Sequence, residues 1–292
     1  MVNFLLYLVY KIFKAIVLIL PHSFAKIFLD GLSYFVYIVD TKHKYYAKAN
    51  LNLVYQNSLN EKRKNQIIKN SYKNMIYNIY EFIQNPTLSL LELEKKVTVL
   101  DEHILTDAIK NNRKIILISA HYGNWEYITS YISLKYKPTT MVGRKMNNKY
   151  LNEDLIKNRT KHNSEMLDKN GSAMGLMKAL KNGRIVGLAI DQNNPKGIEV
   201  EFMGHRALMV DSVSRLAVKT DAIIIPVFFD NISFGKYNIN FLPPIEPSGF
   251  DDIKKLTQKQ ADILGDYIYN HPDQWFWQHK RFKIFYKDIY ER

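Results

Sequence analysis

The amino-acid sequence predicts an α/β fold: a mostly parallel central sheet flanked by helices, with an N-terminal membrane-anchoring helix. Three observations carry this prediction: an apolar stretch at the N-terminus, helical periodicity behind it, and short apolar runs that alternate with helical stretches in the rest of the chain. The 292 residues are enough for one large domain or two small ones, and neither a linker nor an internal repeat divides them. We therefore expect an anchor over residues 1–21 and one domain over 22–292, helical at 22–110 and α/β at 111–292.

The anchor is predicted from residues 4–20, which are apolar except for Lys11 and Lys14 and are followed by Pro21. At a helical rise of 1.5 Å per residue the stretch is roughly 25 Å long, barely enough to cross the hydrocarbon core of a bilayer. The two lysines lie three positions apart on one helical face, from which their ammonium groups can reach lipid phosphates. We therefore expect this segment to span or lie on a membrane; the alternative is a buried first helix of the globular domain.

Residues 22–110 show apolar positions at helical spacing and are rich in basic side chains. Positions 41–80 hold eight Lys or Arg residues and one acidic residue, Glu61. Such a face is either simply solvated or rests on anionic lipid, where each cation contributes ~1 kcal/mol.

From residue 113 the pattern changes to short apolar runs, which are typical of strands buried on both faces. Helical stretches separate the runs and can supply the crossovers of a parallel sheet. Strands are predicted at residues 115–118, 185–190, 222–229 and 237–242, and helices at 125–134, 151–162, 174–181, 212–220 and 250–270.

The composition restricts the classes of function. Hydrophobic residues make up 47% of the chain and charged residues 24%, which excludes a disordered protein and argues against several membrane spans. The formal net charge of +13 favours an anionic partner: nucleic acid, an anionic membrane surface or a phosphorylated substrate. The chain contains no cysteine, which excludes disulfides, thiolate metal sites and a cysteine nucleophile. We expect neither a metal nor a cofactor.

A candidate catalytic pair follows the first predicted strand. This strand runs into Ser-Ala-His-Tyr-Gly-Asn-Trp-Glu at residues 119–126, and open α/β sheets bind ligands beyond the carboxyl ends of their strands. His121 and Glu126 are five positions apart, so they would point about 140° away from each other on a continuous helix. Gly123 and Asn124 permit an irregular turn that brings the two side chains together, and they can leave backbone N–H groups free. We therefore predict that His121 is a general base and that Glu126 fixes its tautomer and balances its charge.

Further segments in the chain support a family resemblance. Behind the segment His-Tyr-Gly-Asn-Trp-Glu come Gly143-Arg144-Lys145, Asn158-Arg159, Asp191-Gln192 after a predicted strand, Phe202-Met203-Gly204, Ile225-Pro226-Val227 and, at 274–281, Gln-Trp-Phe-Trp-Gln-His-Lys-Arg. Together they resemble the late acyltransferases of lipid A biosynthesis, over roughly residues 1–285. These enzymes belong to the lysophospholipid acyltransferase-like superfamily, whose His-x-x-x-x-Asp motif has Glu for Asp in the lipid A branch. Met203 stands where the family has a second Phe.

The resemblance implies a membrane-attached acyltransferase at the cytoplasmic face of a Gram-negative inner membrane. It implies transfer of a lauroyl- or myristoyl-like chain from acyl carrier protein to a hydroxyl of a phosphorylated lipid A precursor, an anionic glycolipid. The charge pattern agrees, since residues 135–184 hold twelve Lys or Arg residues and four Asp or Glu residues. Basic surfaces of this kind suit both the acceptor and the acidic acyl carrier protein.

Three further side chains gain roles from the resemblance. Arg159 is expected to bind phosphate or stabilise the oxyanion, and Arg144 is a second anion-binding candidate because a guanidinium group matches phosphate. Asp191 is expected to bind the acceptor or to hold one of these arginines. Without the resemblance, both arginines could be surface charges and Asp191 a helix or turn cap. Since the chain has no cysteine and no Gly-x-Ser-x-Gly elbow, we expect direct transfer without an acyl-enzyme.

Three other functions stay open from the sequence. The nearest is an acyl-CoA-dependent acyltransferase acting on a phosphatidylinositol mannoside or a lysophospholipid. A basic nucleic-acid-binding protein could use the 20 Tyr and 15 Phe residues for stacking, but the apolar N-terminus argues against it, and we expect no nucleic-acid partner. The third is a membrane-surface scaffold without catalytic activity, and the His and Glu after the first predicted strand argue against it.

Overall fold

The centre of the fold is a seven-stranded sheet, seen in a computed structural model that describes residues 2–169 and 171–291. The strands of the described residues are β1 (Val97–Leu100), β2 (Lys114–Ser119), β3 (Thr139–Gly143), β4 (Glu165–Asp168), β5 (Ile185–Ala189), β6 (Ile198–Phe202), β7 (His205–Met209), β8 (Ala222–Ser233) and β9 (Lys236–Phe241). The sheet has the order β1-β9-β8-β2-β5-β3-β4 and is parallel except between β8 and β9, while β6 and β7 form a separate antiparallel hairpin. The predicted mostly parallel central sheet is therefore confirmed.

Both faces of the sheet are covered, which explains the continuous apolar runs. In β2 the side chains of Ile115 and Leu117 join a core on one face, while Ile116 and Ile118 join a larger core on the other. All four are buried. Successive side chains of a strand point to opposite faces of the sheet, and here both faces are covered. Burial of each such side chain contributes about 1.5–3 kcal/mol, so the sequence of β2 fixes it inside the sheet.

Helices cover the sheet and form an additional N-terminal layer. In the described chain they are α1 (Val2–Ile19), α2 (His22–Val39), α3 (Thr41–Tyr55), α4 (Glu61–Gln84), α5 (Leu90–Glu94), α6 (Glu102–Lys110), α7 (Trp125–Lys135), α8 (Lys149–Arg159), α9 (Ser172–Lys181), α10 (Ser212–Thr220) and α11 (Ile253–Asn270). Helices α5 to α7 contribute to the core that contains Leu117, whereas α3, α4 and α9 to α11 contribute to the core that contains Ile116. The predicted helices after residue 113 are all present: 212–220 has the predicted ends, and the others differ at one or both ends.

The directions of the crossovers create a crevice between β2 and β5. The chain leaves β2 into α7 on one face of the sheet, whereas from β5 it continues through the β6–β7 hairpin to α10 on the other face. At such a switch point the loops at neighbouring strand ends diverge, and α/β proteins bind ligands in the crevice between them. The residues directly after β2 and β5 share this crevice.

Helices α1 and α2 pack on α4 through a small core and leave many large apolar side chains exposed. Val17 and Leu29 are buried against Tyr80, whereas Ile19 and Ile27 are 80% and 69% exposed. None of the described helices combines the length with the apolar character that crossing a membrane needs. The N-terminal anchor therefore stays a prediction.

Lys14 differs from its expected orientation toward lipid. Its Nζ lies 2.7 Å from Asp154 Oδ2 in α8, and the same oxygen accepts a hydrogen bond from the Tyr10 hydroxyl at 2.8 Å. The Lys14 ammonium group is therefore directed at α8 rather than at lipid phosphates.

Five strands are absent from the sequence prediction. Val97–Leu100 lies within the region predicted as helical, 22–110, and pairs with β9 at one edge of the sheet. The prediction of a purely helical part is wrong here, because four residues are too few to show a period. Strands β3 and β4 carry polar Thr, Glu and Asp side chains and lie at or next to the opposite edge, so they lack the continuous apolar runs of central strands.

Candidate active site

A turn that requires glycine carries His121 past the end of β2. Gly123 has a φ of +54°, and a Cβ added there would lie 1.7 Å from the carbonyl oxygen of Phe229. Any other residue would strain the backbone and displace β8. The predicted irregular turn before α7 is confirmed.

The backbone of this turn is tied to its neighbours. The N–H of Gly123 donates to the carbonyl of Gln274 at 3.2 Å, and the N–H of Asn124 donates to the carbonyl of Phe229 at 2.9 Å. The carbonyl of Gly123 accepts from two asparagine side chains of α4, at 3.0 and 2.8 Å. The prediction that Gly123 and Asn124 leave their N–H groups free is wrong, because β8 and the C-terminal segment pack against the turn and use both.

Asp191 holds the ring of His121 in place. Its Oδ1 lies 2.8 Å from His121 Nδ1, and its Oδ2 accepts from the backbone N–H of His121 at 3.0 Å and from Trp275 Nε1 at 2.7 Å. The pairing of β2 with β5 sets Ser119 opposite Ala189, so residues two positions further on lie side by side. The side chain of His121 is 25% exposed and that of Asp191 is 0% exposed. The imidazole can therefore meet a substrate, while the carboxylate beneath it cannot.

The buried carboxylate sets the protonation of the ring. Burial alone would raise the pKa of Asp191, but His121, His279 and the indole N–H of Trp275 hold this pKa well below its usual range. An ionised carboxylate can only accept hydrogen bonds, which assigns the proton to Nδ1 and leaves Nε2 as the basic nitrogen. Burial also lowers the pKa of His121, but the Asp191 charge more than offsets this effect, so that the pKa is raised. His121 is thus a strengthened base.

Glu126 pairs with Arg159 instead of hydrogen-bonding to His121. Arg159 Nε lies 3.0 Å from Glu126 Oε2, and Arg159 Nη2 lies 2.5 Å from Glu126 Oε1. Glu126 lies in the first turn of α7 and Arg159 at the end of α8, where the helix dipoles favour these charges. Burial lowers the pKa of Arg159, but the Glu126 carboxylate raises it above its usual value. The predicted His121–Glu126 hydrogen bond is therefore wrong, because strand pairing gives that position to Asp191.

Two of the three predicted substrate-binding residues line a cavity. Arg144 is exposed at its wall and makes no hydrogen bond or ion pair with any residue that the structure describes. Arg159 also lines the cavity, with its side chain 22% exposed. Asp191 lies behind His121, and its hydrogen bonds go to His121 and Trp275 rather than to an arginine. The predicted contact of Asp191 with the acceptor, or with an arginine, is wrong because its carboxylate is sealed from the cavity.

The cavity has a volume of about 710 Å³ and reaches both faces of the sheet. Its wall includes Leu117 and Ile128 from one core, and Leu176 and Leu216 from the other. His121 lies in this wall, two residues beyond the end of β2. The size is within the usual range of ligand sites, ~300–1,000 Å³.

Three side chains beside the pair are not singled out by the sequence analysis. Gln192 Nε2 lies 3.5 Å from His121 Nε2, the ring of Trp125 stands edge-on to the imidazole with centroids 5.4 Å apart, and Trp275 supplies the indole N–H to Asp191. The signal that could have found them is that all three belong to segments on which the family resemblance rests. Hydrophobic periodicity could not find them, because it does not show which loops lie next to each other in the fold.

Comparisons with known proteins show what the chain is similar to. A family model described as bacterial lipid A biosynthesis acyltransferase matches residues 1–284. The chain is 24% identical to the phosphatidylinositol mannoside acyltransferase of Mycolicibacterium smegmatis over 202 residues, which cover 67% of this chain and 65% of that protein. It is 27% identical to the lipid A biosynthesis lauroyltransferase of Escherichia coli over 186 residues, which cover 62% of this chain and 60% of that protein. The chain thus spans less than two thirds of the length of either curated relative.

A solved structure also matches, with lower sequence identity. The 1-acyl-sn-glycerophosphate (LPA) acyltransferase PlsC from Thermotoga maritima superposes with a TM-score of 0.39 and 16% sequence identity. The match covers 86% of this chain and 98% of that chain. This likeness is too distant to carry a conclusion.

Proposed function

The chain belongs to the bacterial lipid A biosynthesis acyltransferase family, and we propose that it transfers a fatty acyl chain from acyl carrier protein to a hydroxyl of a phosphorylated lipid A precursor. The observation that carries this proposal is His121 at the wall of the cavity, hydrogen-bonded to the buried carboxylate of Asp191. It supplies a general base at a place where two substrates can meet.

The base would act through Nε2 of His121. This nitrogen takes the proton of the acceptor hydroxyl while the hydroxyl oxygen attacks the carbonyl carbon of the thioester, and Asp191 stabilises the imidazolium that forms. When the C–S bond breaks, the imidazolium returns the proton to the leaving thiolate, so that an ester and a free thiol result. A base of this kind contributes ~10²–10⁴-fold to a rate. No acyl-enzyme is required, and the chain has no cysteine to form one as a thioester.

The oxyanion of the tetrahedral intermediate needs hydrogen-bond donors. The N–H groups of Gly123 and Asn124 are occupied, so side chains are better placed to supply them. The amide of Gln192 is next to the basic nitrogen of His121 and can turn from it to the carbonyl oxygen of a bound thioester. We assign Gln192 as an oxyanion donor.

Arg144 and Arg159 would bind the phosphate of the acceptor. Arg144 offers a guanidinium group without a partner among the described residues. Arg159 is held in one orientation by the two hydrogen bonds of Glu126, and its remaining N–H groups can face an anion. In this assignment Glu126 is a positioning residue, which acts through Arg159.

The fatty acyl chain would lie along the aliphatic wall of the cavity. Leu117 and Ile128 line the half that adjoins α7. Gly187 lies there too, and a Cβ added to it would approach Thr129 Cγ2 to 3.2 Å. The missing side chain at Gly187 therefore leaves room for a hydrocarbon chain.

A second candidate is an acyl-CoA-dependent acyltransferase that acts on a phosphatidylinositol mannoside or a lysophospholipid. The identity of 24% with a phosphatidylinositol mannoside acyltransferase supports it. The same base pair would serve either reaction. Rates measured with both donors, acyl carrier protein thioester and acyl-CoA, and with each acceptor would separate the two candidates.

We also propose that the enzyme works at the cytoplasmic face of the inner membrane, bound through α1 and α2. Sixteen of the twenty-five exposed large hydrophobic side chains of the described residues lie in these two helices. Soluble proteins rarely expose so much contiguous apolar surface without a partner, and an amphipathic helix can lie in the membrane interface without crossing it. They are Phe4, Leu5, Leu6, Leu8, Val9, Ile12, Ile16, Leu18, Ile19, Phe24, Ile27, Phe28, Tyr34, Phe35, Ile38 and Val39.

The proposed function is tested with the purified wild type and His121→Ala, each given an acyl carrier protein thioester and a lipid A precursor. Mass spectrometry of the products should show transfer by the wild type and a rate at least about 10²-fold lower in the variant. His103→Ala serves as the matched control, since His103 is exposed on α6. Full turnover by folded His121→Ala would contradict the assignment of the base.

A further inference from the structure

The cavity carries more positive charge than one acceptor phosphate explains. Five cationic side chains line it, against one carboxylate, that of Glu126. The Glu126 carboxylate, which is bound by Arg159, balances one of the five positive charges, so the lining residues keep an excess of four. The five are Arg144, Arg159, Lys169, Arg215 and Lys219.

Two of these cations lie on the other face of the sheet from Arg159. Arg215 and Lys219 belong to α10, whose Leu216 joins the core that contains Ile116. Arg159 instead contacts α7, which covers the opposite face. Arg215 and Lys219 therefore form a group of their own, on the opposite face of the sheet from Arg159.

The α10 group is available to bind a ligand. Lys219 is exposed and makes no hydrogen bond or ion pair with the rest of the described chain. Arg215 pairs with Asp211 one turn earlier, but its side chain stays 65% exposed, and such a surface pair contributes little, ~0–1 kcal/mol. Both side chains project from a helix whose neighbouring wall, Leu176 and Leu188, is aliphatic.

We propose that Arg215 and Lys219 form a second anion subsite, which binds a phosphate ester. The subsite rests on the proposed acyl transfer, which supplies two sources for such a group. One is the phosphopantetheine arm that every acyl carrier protein or CoA thioester carries, and the other is a second phosphate on the acceptor. Two cations one helical turn apart on α10 can share one phosphate.

The test compares the wild type with Arg215→Gln/Lys219→Gln on matched substrates. The donors are acyl-phosphopantetheine and acyl-pantetheine, and the acceptors are a singly and a doubly phosphorylated glycolipid. Each lost cation should raise the KM of the substrate that uses the subsite about three- to tenfold, while kcat changes less than about twofold. The corresponding substrate without that phosphate should show no increase in KM. The comparison therefore identifies whether the donor or the acceptor supplies the phosphate that the subsite binds. Lys254→Gln is the control, because it removes one charge from exposed Lys254 of α11, outside this cavity.

A binding measurement separates this subsite from the chemistry. Calorimetry with phosphopantetheine, and with the doubly phosphorylated acceptor, uses the His121→Ala protein with and without the α10 substitutions. Weaker binding of one probe when Arg215 and Lys219 are replaced supports the subsite even if turnover fails for another reason. Unchanged KM values for all four substrates, together with unchanged binding of both probes, would overturn it.

Discussion

Nδ1 of His121 lies 2.8 Å from Oδ1 of Asp191, a residue 70 positions further along the chain. The two are neighbours because β2 and β5 run side by side in register. Asp191 receives a third hydrogen bond, from Trp275, and is completely buried. A buried ionised carboxylate that fixes the tautomer of a partly exposed imidazole suits that imidazole to general-base catalysis.

Glu126→Gln should affect the reaction through Arg159. The substitution leaves the His121–Asp191 hydrogen bond in place but removes the charge that holds the Arg159 guanidinium. We expect Glu126→Gln and Arg159→Gln to lower kcat/KM for a phosphorylated acceptor by similar factors, and the double variant to lose little more than either. Steady-state kinetics of the four proteins measures this. Losses that multiply in the double variant would show that Glu126 acts independently of Arg159.

The pH dependence of kcat/KM should report His121. The base must be neutral to accept a proton, so activity should rise with pH through the pKa of His121, which the Asp191 charge places above its ordinary value. Asp191→Asn removes the negative charge that favours the imidazolium, so the acid limb should move to lower pH. A pH profile of the wild type and the variant checks the direction. An acid limb that moves to higher pH in Asp191→Asn would contradict the assignment.

Gln192→Ala should lower kcat about 10²-fold if the amide stabilises the oxyanion. The KM values should change little, because the interaction develops only in the transition state. Asn194→Ala is a control in the same loop, where Oδ1 of the Asn194 side chain accepts from the backbone N–H of Lys196 at 3.0 Å. A kcat for Gln192→Ala close to that of the control would remove Gln192 from the mechanism.

The apolar surface of α1 and α2 should control membrane binding. Ile12 and Phe24 are 56% and 64% exposed, and replacing both by glutamate should weaken binding to anionic vesicles at least about tenfold, because their burial in the lipid interface is lost. Vesicle flotation measures the bound fraction. Ile284→Glu changes a side chain that is 45% exposed at the other end of the chain and should bind as the wild type does. Equal flotation of all three proteins would place the membrane contact elsewhere.

The sequence predicts the central part of the fold because its signals are local. The apolar run of β2 must be buried on both faces, and Ser212–Thr220 repeats at helical spacing; both elements are confirmed. Val97–Leu100 is too short to show a period, and its pairing with β9 depends on residues about 140 positions away. Such pairing is not visible in a single sequence.

The candidate site could be located but not assembled from the sequence. The strand-end position of His121 and the irregular turn at Gly123 follow from the residues themselves, and both are confirmed. The partner of His121 depends on which strand lies next to β2. Nearness along the chain favours Glu126, five residues away, whereas the sheet order brings Asp191 to the ring.

The central claim is most directly tested by the turnover of Asp191→Asn, which keeps the shape of the side chain and removes its charge. Single-turnover kinetics with a saturating acyl carrier protein thioester and lipid A precursor should give a rate about 10²–10⁴-fold below that of the wild type at neutral pH, while the variant keeps the wild-type melting curve within a few degrees. A rate within threefold of the wild type, from protein that is folded and binds both substrates, would contradict the claim that Asp191 makes His121 the base.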